Sequence, residues 1–126
     1  MANPSLLVMG AIGTITWGLA HLLATKPVIT GMGDLDRDQE RILTMEWVTG
    51  GFFLCFIGIV VLLAVILARP GDHSSAAVCQ ASAIALAVHT VLSLMSGAQT
   101  RLLPLKICPL ITGSAAALIF FGSLHA

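Results

Sequence analysis

The chain has 126 residues, 57% of them hydrophobic and 10% charged, with a formal net charge of zero, and its mean hydropathy is +0.98. This composition excludes an ordinary water-soluble domain, and the balanced charge leaves no basic footprint for nucleic acid. The expected fold is all-α and integral to the membrane: one domain over residues 1–126, built as a four-transmembrane-helix, up-down-up-down bundle.

Four apolar runs carry that expectation: 6–24, 42–68, 76–95 and 107–124. Each is close to the roughly 20 residues that cross a hydrocarbon layer about 30 Å thick as a helix rising about 1.5 Å per residue. The first run is read as a retained span, because Met1 to Ser5 carries no Lys or Arg of the kind that opens a signal peptide.

Between the first two runs, Lys26-Pro27 and Gly31-Met32-Gly33 are helix breakers and predict a loop from Thr25 to about Asp34. Asp34 or Asp36 then caps the second helix, with Gln39 placed for a capping box with Asp36. That helix is expected to begin before the membrane does. Arg69-Pro70-Gly71-Asp72 ends it, and Ser74 or Ser75 is placed to cap the third, giving a tight antiparallel hairpin. The third helix ends near Gly97. Pro104 and Pro109 bracket the start of the fourth, with Pro109 either in its first turn or kinking it. Such short connections favour an up-down-up-down order.

Orientation follows from the basic residues. Lys26, Arg37, Arg41, Arg101 and Lys106 fall in or beside the first and third loops, and only Arg69 falls on the other side. The positive-inside rule puts those two loops in the cytoplasm and both termini outside.

Ionisable groups are costly in hydrocarbon, so His21, Glu46 and His89 require a reason. All three sit toward the same leaflet. Residues three, four and seven apart share a helix face, which aligns Gly10, Thr14, Trp17, Gly18 and His21 on the first helix and Ser82, His89, Ser93 and Ser96 on the third. Glu46 shares its face with Gly50, Phe53 and Ile57. Together His21, Trp17, Glu46 and His89 can line one pocket, with Thr14, Trp47, Ser93 and Arg101 as further candidates for contact with a substrate.

Plainer roles exist for several of these. His21 and Glu46 lie near membrane boundaries, where each can reach the headgroups or pair with Lys26 or Arg41. Trp17 and Trp47 suit interfacial anchoring, with stacking on a ligand as the other use. The serines suit helix–helix hydrogen bonding, and Gly50, Gly51 and Gly58 suit close helix approach. His73 and His125 fall at the opposite surface and are assigned no role. Three cysteines, Cys55, Cys79 and Cys108, belong to different spans and suggest neither a disulfide framework nor a Cys-x-x-Cys site.

Gly18-x-x-His21 at the end of the first span, with Glu46 followed by Gly50-Gly51 in the second, resembles the small four-helix DoxX-like membrane proteins. The resemblance covers the first two helices. It implies a four-helix membrane bundle in a group that includes redox-associated subunits and assembly factors, and it selects no reaction.

Three functions compete at this level. The leading expectation is an intramembrane enzyme, without a cofactor, that performs acid/base chemistry on a hydrophobic small molecule: an isomerase, cyclase or epoxide-opening enzyme. In it Glu46 and His89 act as acid and base, His21 orients or relays, and Trp17 packs on substrate. The second is a haem electron carrier with His21 and His89 as axial ligands. The third is a non-catalytic assembly factor or accessory subunit whose small-residue faces meet another membrane protein. Glycine-rich faces left over after packing also make a homo-oligomer an expectation.

Overall fold

A computed structural model describes residues 3–124, which puts His125 outside the described residues. The chain is all-helical: α1 Pro4–Leu23, α2 Thr25–Gly31, α3 Arg37–Leu67, α4 His73–Met95 and α5 Leu103–Ser123, with a single 3-10 turn at Gly97–Gln99. Helices α1, α3 and α5, together with the stretch His73–Gln99 that contains α4, are long and apolar enough to cross a bilayer. The chain is a multi-pass membrane protein. The four long helices form the expected bundle, each packed on its neighbours in chain order and α1 also on α5. The closest seams are α1 with α3 and α4 with α5, whereas α3 and α4 meet less extensively.

The tight seams have a chemical origin in small residues. A Cβ added at Gly18 would lie 2.8 Å from the Cys55 backbone nitrogen and 2.9 Å from the Gly51 carbonyl oxygen, and one at Gly58 would lie 2.7 Å from the Ala11 carbonyl oxygen. Only glycine at these positions lets α1 and α3 approach backbone to backbone, as small residues do between helices in lipid. The core they enclose runs through Leu7, Ala11, Leu54, Val61, Leu86 and Ile119.

Helix ends follow their local chemistry. Asp36 caps α3 in a full capping box with Gln39, and α3 starts five residues before the apolar run at Ile42. At α4 the cap is Asp72, whose carboxylate accepts from the Ser74 N–H at 2.9 Å, rather than Ser74 or Ser75. The Ser75 hydroxyl instead donates to the Ala64 carbonyl at 2.6 Å, tying the hairpin shut. Gly71, at φ +81°, makes the turn between them. In α5 it is Pro104 that occupies the first turn, and the helix continues through Pro109.

The predicted loop after α1 is corrected. Residues Thr25–Gly31 form the short helix α2. Pro27 falls in its first turn, where a missing N–H breaks no helical hydrogen bond. Val28 and Ile29 then supply an apolar face that packs, with Leu43, Leu102 and Leu105, against Trp47. Burial across the open end of the bundle thus outweighs the nearby breakers. Gly33, at φ +95°, lies in the connection that follows.

Candidate functional site

Under α2 lies a cluster of polar side chains. His21, from the last turn of α1, is 8% exposed, and its imidazole stacks on the Trp47 indole with centroids 3.6 Å apart and planes inclined by 10°. The Trp47 Nε1–H donates to the His21 backbone carbonyl at 2.6 Å. Gly50, one turn after Glu46, lies beside the ring, and a Cβ there would be in ordinary van der Waals contact with His21 Nε2 at 3.5 Å. Trp47 is therefore an internal residue, 6% exposed, and not a lipid-facing anchor.

His89 approaches the same face of α3 from α4. Its ring is 5.7 Å from that of Phe53, three residues beyond Gly50, and its Nε2 is 3.7 Å from Cys108 Sγ on α5. Both imidazoles therefore lie against α3, His21 near Gly50 and His89 beside Phe53. Behind them, the Thr90 and Thr112 hydroxyls are 2.8 Å apart and join α4 to α5, while Thr112 also donates to the Cys108 carbonyl at 2.9 Å.

Two polar atoms in this region have no partner: Trp17 Nε1 and His21 Nδ1 are both buried and make no hydrogen bond among the described residues. They are one helical turn apart on α1, on the face that also holds Thr14 and Gly18. Thr14 is 1% exposed, and its hydroxyl donates to the Gly10 carbonyl at 2.7 Å, so it is satisfied within its own helix.

The remaining candidates stand apart. Glu46 is exposed and hydrogen-bonds to neither histidine among the described residues. Adjacent helical residues point about 100° apart, so with Trp47 turned onto His21 the neighbouring carboxylate is turned to the surface. Arg101 is exposed as well. Ser93 is half-buried, and its Oγ would lie 3.7 Å from a Cβ at Gly97.

Sequence reasoning passed over Cys108, Thr90 and Thr112. The signal was available: Thr90 follows His89, and Thr112 is four residues, one turn, after Cys108.

His21 lies flat against Trp47 with Nε2 near Gly50, and His89 Nε2 is 3.7 Å from Cys108 Sγ, so each imidazole packs on a neighbouring helix. Of the residues that carry the DoxX-like resemblance, Gly18 packs on Gly51 and His21 lies near Gly50, whereas Glu46 is exposed and apart from them. No family model, curated protein or solved structure matches this chain.

Proposed function

We propose that this protein is an intramembrane enzyme that performs acid/base chemistry on a hydrophobic small molecule, with His21 and His89 exchanging the proton. The observation that carries the reading is the pair of buried, unpartnered ring nitrogens, Trp17 Nε1 and His21 Nδ1. Leaving a buried polar group unsatisfied costs about 1–3 kcal/mol, and a ligand oxygen offsets that cost. An indole N–H can only donate, whereas a histidine nitrogen donates or accepts according to its tautomer. A hydroxyl or carbonyl oxygen on an otherwise apolar body answers both.

An imidazole can accept a proton at one ring nitrogen and release one from the other, so it serves as base or acid according to its protonation state. One histidine, entering neutral, removes a proton from the substrate while the other, entering protonated, returns one. The two have then exchanged protonation states, and transfer of that proton back resets the pair, so an isomerisation, ring closure or epoxide opening balances without any electron acceptor. Glu46, exposed near the same end, suits proton exchange between this pair and the interface. The basic residues of the first and third loops favour a cytoplasmic position for this end. A substrate dissolved in the bilayer reaches the site between helices, most readily at the less extensive α3–α4 seam.

Deuterium exchange tests the reading directly. The wild type and the His21→Gln, His89→Gln and Trp17→Phe variants are isolated in native-membrane discs, and lipophilic molecules enriched with each are identified by mass spectrometry. The enriched compound is then incubated with each protein in heavy water. Wild type is expected to enrich a compound bearing a hydroxyl or carbonyl group and to introduce deuterium into it, with loss of exchange in both histidine variants. Enrichment of no compound, or exchange equal in wild type and both histidine variants, refutes it.

A further inference from the structure

At the opposite end of the bundle, where Pro4 and Ser123 lie, the four long helices border a cleft of about 590 Å³. Its walls are Leu7 from α1, Ala64 and Val65 from α3, Ala76 and Cys79 from α4 and Ser123 from α5. Leu7, Cys79 and Ser123, almost wholly buried, form its floor, and Ala68 and Arg69 lie on its exposed rim. Its volume lies within the roughly 300–1,000 Å³ of small-molecule sites.

The polar atoms of the cleft are mostly already satisfied. The Ser75 hydroxyl donates to Ala64, the Ser123 hydroxyl to Phe120, and the Asp72 carboxylate caps α4. What they leave is an apolar interior with Arg69 at the rim, exposed and with no carboxylate paired to it among the described residues. All other Lys and Arg residues belong to the first and third loops or their flanks. This is a charge looking for a counter-ion at the mouth of a dry pocket.

We propose that this cleft binds a single-chain anionic amphiphile of the fatty-acid type, with its carboxylate on Arg69 and its chain running inward to Cys79. From Asp72 to Cys79 the cleft follows seven residues of α4, about 10 Å at 1.5 Å per residue. That depth takes a medium-length chain, and the volume holds one chain rather than the two of a phospholipid. A guanidinium offers a carboxylate a planar, two-pronged set of donors, which an alcohol headgroup cannot match. The proposal is independent of the acid/base site, which lies at the other end of the bundle.

The test uses the full chain in lipid nanodiscs, a diazirine analogue of decanoate as label, and decanoate or decanol as competitor. Labelling is expected on the cleft walls, with decanoate displacing the label at about tenfold lower concentration than decanol, the effect of roughly one charge-assisted contact. Arg69→Gln is expected to erase the difference between the two competitors while leaving decanol unchanged. Ala68→Trp, at an exposed position on the rim, is expected to block labelling in a protein that stays folded. Labelling away from the cleft walls, which include Leu7 and Ser123 as well as residues 64–79, equal displacement by decanol and decanoate on the wild type, or insensitivity to both substitutions overturns the proposal.

Discussion

The imidazole of His21 lies 3.6 Å from the indole of Trp47, almost parallel to it, and the same indole donates its N–H to the His21 carbonyl. One side chain of α3 thereby holds both the ring and the backbone of the last turn of α1. Trp47→Leu removes both contacts and is expected to lower stability by about 1–3 kcal/mol. Trp47→Phe keeps a ring against His21 and loses only the hydrogen bond, an expected cost of about 0.5–1.5 kcal/mol. Reversible unfolding in mixed micelles measures both, and equal losses in the two variants would show that the stack contributes nothing.

Glycine positions separate close contact from open space. A Cβ at Gly58 would lie 2.5 Å from Ile15 Cγ1 and 2.7 Å from the Ala11 carbonyl oxygen, and the second of these is backbone that cannot rotate away. Gly58→Ala is expected to destabilise by about 1–3 kcal/mol. At Gly13 nothing lies within 4 Å of the added atom, so Gly13→Ala is expected to be neutral or to stabilise by up to about 1 kcal/mol through helix propensity. Thermal unfolding of the two variants side by side checks the sign of each.

The Thr90–Thr112 hydroxyl contact at 2.8 Å is the one side-chain hydrogen bond that crosses from α4 to α5 between two hydroxyls among the described residues. Each hydroxyl has a single hydrogen and a carbonyl within reach in its own helix, Leu86 for Thr90 and Cys108 for Thr112, so whichever donates across the seam forgoes that bond. A double-mutant cycle with Thr90→Val and Thr112→Val is therefore expected to give a coupling of only about 0.6 kcal/mol, the usual scale for such bonds in membranes. Coupling above about 2 kcal/mol would mean that the pair organises the His89–Cys108 layer beyond its own bond.

Trp17 offers a test that opposes stability to function. Its Nε1 is buried without a partner, so Trp17→Phe removes an unsatisfied donor and costs the ligand-free protein no hydrogen bond. Stability without ligand is expected to stay level or rise by up to about 1–3 kcal/mol, while enrichment of the lipophilic ligand falls. A fall in both would point to Trp17 as packing alone. Unfolding measurements after exhaustive delipidation, paired with mass spectrometry before it, separate the two.

Much of this architecture is legible in the amino-acid order, because a span needs a long apolar run and the chain holds four. The inward face of α1 is legible for a related reason: Gly10, Thr14, Gly18 and His21 recur at helical spacing, and all four are buried. Two features are not. Lys26-Pro27 and the flanking glycines read as breakers, and only the bundle's open end, a tertiary feature, gives Val28 and Ile29 something to cover. Likewise Glu46 and Trp47 are neighbours, and spacing alone does not decide which turns inward. The indole turns because it finds a ring to stack on and a carbonyl for its N–H, whereas a carboxylate in that place would be a desolvated charge.

Helix α2 acts on what the protein can encounter. Val28 and Ile29 close over Trp47, and Trp47 closes over His21, so on the loop side two apolar layers stand between solvent and His21. Under the proposed function, a compound would then be presented to His21 according to its abundance in the bilayer, not in the surrounding water. Two molecules with the same polar group but different partition coefficients arrive at very different rates, and the membrane itself performs the first round of selection.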